Sequence, residues 1–211
     1  MVASIAEELQ TAARQLARRD PVLKPVIARA GPCTITPHTD YYWELIDSII
    51  SQQLSVKAAA SIERRFQELL GSPVPSPEAI LAKSVDELRT AGLSNAKARY
   101  IRDLAQHIVD GVVRFDRLDQ QSNEEIIGEL TAVKGIGEWT AHMFLIFCMG
   151  RLDVLPVGDL GIRNGVRKLY GLAELPSPQK IRDIAVRNGW APYESVASWY
   201  VWQSLDNLPA V

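Results

Sequence analysis

The stretch Leu130-Thr131-Ala132-Val133-Lys134-Gly135-Ile136-Gly137-Glu138-Trp139-Thr140-Ala141 decides how this chain is read. Apolar periodicity on both sides of a Gly-x-Gly turn predicts two helices joined by a tight hairpin, spanning about 123–149. Glycine permits positive φ and leaves no Cβ between the turn and a ligand. The amides after the turn begin a helix, so they combine unpaired donors with the positive end of the helix dipole, a natural seat for a phosphate. Gly135 and Gly137 supply the bare backbone, Lys134 can add a point charge, and Thr140 with Ala141 suits close packing of the two helices. A plain αα-turn with a glycine cap would show the same residues. Downstream, Val157-Gly158-Asp159-Leu160-Gly161-Ile162 sets one acid where it can work on whatever the phosphate positions. Aspartate there would equally well cap the next helix.

Around this core the composition is that of an ordinary globular protein. With 211 residues, 47% hydrophobic and 23% charged, the chain can bury a sizeable core as one domain, or one domain of two lobes. The longest apolar candidate, Ala141 to Met149, contains His142 and falls short of the roughly 20 residues needed to span a bilayer. Met1 to Gln10 carries Glu7 and Glu8 and lacks a signal-peptide core, so an intracellular protein without membrane partners is expected. Cys33 and Cys148 are far apart and read as packed, reduced thiols. An iron–sulfur cluster needs four thiolates, and the three histidines show no metal-ligand spacing. A net charge of −2 argues against coating nucleic acid by bulk electrostatics. From Lys134 to Lys168, however, five cations face three anions, which permits a local basic face.

The chain reads as helix after helix. Ile5, Leu9, Ala12, Ala13 and Leu16 recur at helical spacing, and Gly31-Pro32 closes a second short helix. Asp40 can cap a segment bearing Trp43, Ile46, Ile49 and Ile50, and Val56 to Leu70 continues to Gly71. Pro73, Pro75 and Pro77 then read as a loop. Ser84-Val85-Asp86-Glu87 and Ser122-Asn123-Glu124-Glu125 fit the capping box. Ser94 can cap the long segment to Val109, and Ser177-Pro178 opens a further helix. Only Thr34-Ile35-Thr36 and Asp153-Val154-Leu155-Pro156 look extended. The expected architecture is all-α, with two helical lobes, and with the hairpin and Asp159 beside a cleft between them.

Several blocks together carry a family resemblance: Ile49-Ile50-Ser51-Gln52-Gln53-Leu54-Ser55, Gly92-Leu93-Ser94 with Lys97 and Tyr100, the hairpin, Pro156-Val157-Gly158-Asp159, and Trp190-Ala191-Pro192-Tyr193 with Trp199-Tyr200. From about Pro21 to Trp202 the sequence resembles the helix-hairpin-helix DNA glycosylases, specifically their 3-methyladenine DNA glycosylase II (alkylpurine) branch. The resemblance implies a two-lobed helical glycosylase fold, here as a single domain over 1–211. It implies a monomeric DNA N-glycosylase of base-excision repair that flips out and hydrolytically releases alkylated purines from double-stranded DNA, working in the cytoplasm or nucleoid of a bacterium or the nucleus of a eukaryote.

The resemblance also assigns roles. Asp159 takes the place of the family's catalytic aspartate, where a helix N-terminus favours a negative charge. One carboxylate suffices, because cleavage builds positive charge on the sugar and an alkylated purine leaves without a strong acid. Bifunctional relatives carry a lysine two residues after the second hairpin glycine. That position is Trp139 here, so no Schiff base forms by that route and an abasic site is the expected product. Trp139 and Tyr193 match positions lining the base pocket, with Tyr41 as a further candidate, and flat π faces suit a cationic purine. Trp199, Tyr200 and Trp202 recur at helical spacing and read as core. Gln53, with Leu54 second, matches the wedge inserted into the base stack; an exposed helix end is the plain alternative. The family binds a monovalent cation through hairpin carbonyls, matching Thr131, Val133 and Ile136, and needs no cofactor for chemistry.

Three departures stand out. Glu194 follows Tyr193 where relatives often have a basic residue, His142 replaces a commonly acidic one, and the length leaves no room for the additional α/β domain of some relatives. Two other functions stay open on sequence: a noncatalytic helix-hairpin-helix module that binds or senses lesions, and a glycosylase for uracil, hypoxanthine or mismatched pyrimidines.

Overall fold

The computed structural model describes residues 4–205, and among them all regular structure is helical, with no strand. In chain order the α-helices are α1 (Ile5–Arg19), α2 (Leu23–Ala30), α3 (Tyr41–Ser51), α4 (Val56–Leu70), α5 (Pro77–Leu81), α6 (Val85–Arg89), α7 (Asn95–Val109), α8 (Asn123–Thr131), α9 (Glu138–Met143), α10 (Leu160–Leu169), α11 (Pro178–Arg187) and α12 (Glu194–Gln203). A 3₁₀ turn covers Phe115–Gln120, and a π-helical stretch, Phe144–Cys148, prolongs α9. The segments around Ile35 and Val154 are irregular rather than paired strands.

Local chemistry explains where the helices begin. Ser84 and Ser122 form the expected capping boxes with Glu87 and Glu125, and Asp40, Ser94 and Ser177 cap α3, α7 and α11. One expectation is corrected. Pro77 does not belong to a loop; Ser76 caps at Ala79 N and Pro77 opens α5, the same device as Ser177-Pro178.

The chain forms two compact units, one of Met1–His38 with Leu145–Val211, the other of Thr39–Phe144. In the first, α12 is the hub. Every residue from Ser195 to Trp202 is buried, Ser195 and Ser198 among them, and α1, α2 and α10 pack against it. The crossing with α10 depends on small residues: a Cβ on Gly165 would lie 2.4 Å from Val201 Cγ1. A buried carboxylate fastens the same unit. Asp20 Oδ1 accepts from Val22 N (2.8 Å) and Leu23 N (3.1 Å), while Oδ2 accepts from Trp190 Nε1 (2.8 Å) and from the Tyr170 hydroxyl. Burial and the neighbouring Asp20 push the Tyr170 phenol well above its usual range. Hydrogen bonds to charged groups are worth about 1.5–3 kcal/mol, so Tyr170→Phe is expected to destabilise the fold by about 2 kcal/mol in urea unfolding.

In the second unit α7 is the hub, packed against α3, α5 and α6 through Ala98, Ile101, Leu104 and Ala105.

Candidate functional site

The candidate residues fall in two groups, one in each unit. Within Thr39–Phe144 the hairpin forms as read. Helix α8 ends at Thr131, and Ile136 N donates to Val133 O (3.1 Å) to close the turn, while Val133 and Ile136 are buried and anchor it. The two glycines do different work. Gly135 has φ +89°, and a Cβ there would meet the Tyr100 ring at 2.2 Å, so only glycine fits. Gly137 has φ −95° and open space where a Cβ would stand. Its conformation suits any residue, and what glycine provides there is access. It is also the N-cap of α9, and no side chain caps the helix there.

Lys134 is exposed, yet its Nζ lies 3.3 Å from Asp103 Oδ1, and its own amide donates to Asp103 Oδ2 (2.9 Å). Its charge is therefore shared rather than fully offered to a ligand. Thr140 is half-buried on α9. Trp139 is 44% exposed, which sets aside a core role for its indole. Tyr41, at the start of α3, places its ring edge-on to Phe144 with centroids 5.6 Å apart.

The turn between α3 and α4 carries the other half of this group. Gln53 is exposed at φ +57°, the one non-glycine residue at positive φ among those described, and Leu54 beside it is 39% exposed. A left-handed non-glycine residue costs about 1–2 kcal/mol, so the surrounding bonds must hold it there.

In the first unit the geometry centres on Asp159. Its backbone leads into α10, where it is the N-cap: Oδ1 accepts from Ile162 N at 2.7 Å. The same oxygen accepts from Trp202 Nε1 at 2.8 Å, and the residue is 9% exposed. The two readings of Asp159, cap and acid, are thus not exclusive; one oxygen is fixed by the cap and the indole. A Cβ on Gly161 would stand 2.9 Å from Asp159 Oδ1 and 3.0 Å from the Trp202 ring, so glycine keeps this contact open. Trp202 is buried as expected of a core residue, but it is also a donor to the acid, which sequence reasoning missed. The signal was the Gly161-x-x-x-Gly165 spacing, two small residues on one face of α10 that let α12 approach. Tyr193, half-buried before α12, accepts from Gln15 Nε2 at 3.3 Å.

Cys33 and Cys148 are buried free thiols, and burial pushes Cys33 up to about 11. No cluster of three or more His, Cys, Asp or Glu poised to hold a metal occurs among the described residues, and no described helix is long and apolar enough to cross a membrane.

The chain as a whole has counterparts among known proteins. The family model described as HhH-GPD superfamily base excision DNA repair protein matches residues 46–189. The chain belongs to the HhH-GPD superfamily. Within that superfamily it is 38% identical over 165 residues to DNA-3-methyladenine glycosylase 1 of Schizosaccharomyces pombe, covering 77% of this chain and 72% of that protein. It is 30% identical over 201 residues to an alkylbase DNA glycosidase-like protein of the same organism, covering 93% of each. Its fold matches the crystal structure of a DNA-3-methyladenine glycosidase from Bacillus halodurans with a TM-score of 0.80 at 39% identity, over 90% of this chain and 87% of that one. The resemblance to the alkylpurine branch and the all-α, two-unit architecture are both borne out.

Proposed function

We propose that this HhH-GPD protein is a monofunctional DNA glycosylase that hydrolyses the N-glycosyl bond of alkylated purines in double-stranded DNA, acting as a monomeric single-domain enzyme inside the cell. Relatives named DNA-3-methyladenine glycosylases support the substrate class, and one solved relative, from S. pombe, is in complex with abasic DNA. The observation that carries the reading is Asp159, a nearly buried carboxylate with Oδ1 held by Ile162 N and Trp202 Nε1.

In this reading the hairpin amides and Lys134 hold phosphate, Gln53 with Leu54 behind it enters the stack, and Trp139, Tyr193 and Tyr41 receive the displaced base. A purine methylated at N3 or N7 is cationic in the nucleotide. As the C1′–N bond breaks, the electron pair leaves with the base, which departs neutral, and positive charge builds on the sugar. Asp159 stabilises that charge and accepts the proton of the water that adds to C1′. Free base and an abasic site result. With Trp139 in place of a lysine, no imine links the sugar to this position, so the strand stays intact.

The hairpin carbonyls of Thr131, Val133 and Ile136 lie at a helix end and its turn, where backbone oxygens are hard ligands of the kind a monovalent cation takes. Such an ion would fix the turn and has no part in bond cleavage.

Gly137→Ala tests the phosphate grip. Because the Cβ meets nothing in the free protein, stability should change by less than about 0.5 kcal/mol, while affinity for duplex DNA falls about tenfold as the methyl intrudes on the approaching phosphate. Equal affinity would remove Gly137 from the interface. The function itself is tested by chromatography of bases released from duplexes carrying 3-methyladenine, 7-methylguanine, 1,N6-ethenoadenine, hypoxanthine or uracil. Release of the two methylpurines is expected. Binding without release of any base would leave a lesion-sensing module.

A further inference from the structure

One face of α7 holds both loops that the proposed function places on DNA. Lys97, Tyr100 and Asp103 follow at intervals of three along this helix, so they form a single stripe. Lys97 Nζ donates to Ile50 O (2.7 Å) and Gln52 O (2.6 Å), satisfying carbonyls at the end of α3 and in the turn that follows. The Tyr100 ring fills the space over Gly135. Asp103 takes the amide of Lys134. The two loops also bond directly, since Gln52 Nε2 donates to Gly135 O at 2.9 Å.

We propose that Lys97 is a positioning residue that braces the Gln52–Leu54 turn against the hairpin turn and so holds Gln53 outward for insertion into duplex DNA. The inference rests on the glycosylase reading, since it concerns the step that displaces the base. The strained residue is the reason a brace is needed. Gln53 sits at φ +57°, and the carbonyl immediately before it is the one Lys97 grips. Leu54 N donates to Ser51 O (3.0 Å) on the other side, and Ser55 caps α4. An ammonium makes both carbonyl contacts at once, whereas any neutral aliphatic side chain makes neither. Partial burial draws the Lys97 ammonium below its usual range, because desolvation disfavours the charge.

A brace of this kind makes a distinctive prediction. It matters for opening a paired site and little for chemistry once the nucleotide is out. The test is single-turnover release of 7-methylguanine from two duplexes, one with the lesion opposite cytosine and one with it opposite an abasic spacer, where no pair has to be broken. Lys97→Met should lower the rate about tenfold or more on the paired duplex and less than about threefold on the spacer duplex. Gln52→Met, which removes the bond to Gly135 O without touching Lys97, should shift the ratio in the same direction by a smaller factor, and melting curves of both variants establish that they are folded. Equal losses on the two duplexes, or no loss on either, would overturn the role of Lys97 while leaving the glycosylase reading intact. A wild-type protein that releases no base from either duplex would overturn both.

Discussion

Asp159→Asn is expected to lower single-turnover base release by about 10³-fold, the scale on which removal of one preorganised electrostatic group acts. The substitution is discriminating because it leaves the local structure in place. Asparagine and aspartate are about equally good helix caps, and an amide oxygen still accepts from Ile162 N and Trp202 Nε1, the two donors to Asp159 Oδ1. The charge is lost, and one acceptor oxygen becomes an NH2 donor. Affinity for a duplex containing an abasic-site analogue should therefore stay within about threefold, because contacts to phosphate are untouched. Undiminished release by a folded Asp159→Asn protein would reduce Asp159 to a cap of α10 and remove the proposed mechanism.

Trp202→Phe should cost about 100-fold in the same assay. The indole N–H reaches the carboxylate at 2.8 Å from a site that is 1% exposed, with the Phe147 ring centroid 5.8 Å from its own. Phenylalanine keeps the aromatic body and removes the donor, and charge-assisted hydrogen bonds are worth about 1.5–3 kcal/mol. Without the indole, Asp159 Oδ1 loses one of the donors that orient it, and the carboxylate can turn toward other partners. A double-mutant comparison separates this from a general weakening of α12. If Trp202 acts through Asp159, adding Trp202→Phe to Asp159→Asn should reduce release by less than about threefold further. A full, multiplicative loss in the double variant would mean that the tryptophan acts by another route.

Much of the helical framework was legible because its causes are local. Ser84, Ser122 and Ser177 announce their helices by side chains that bond amides two or three residues on, and the same rule applied to Ser76-Pro77 would have found α5. The six-residue 3₁₀ turn at Phe115–Gln120 has no comparable signal. The candidate site residues came from family resemblance, and the contacts that surround them depend on distant residues. That Gly135 must be glycine follows from Tyr100, far upstream on α7, while Gly137 looks identical in sequence and adopts an ordinary φ. The indole that holds Asp159 comes from the last helix, brought close by Gly161 and Gly165. The brace of Lys97 on Gln52 O likewise joins residues that no local pattern connects. Periodicity shows which face of a helix is apolar; it does not show which polar group on a distant helix will meet a given carboxylate or carbonyl.

The most direct test is a duplex bearing a single 7-methylguanine, incubated with excess enzyme and divided before electrophoresis, one half treated with alkali. Free 7-methylguanine together with strand breaks that appear only after alkali is the predicted result, because hydrolysis leaves an abasic site and Trp139 offers no amine to cleave it. No free base, or breaks of equal yield without alkali, would contradict the account.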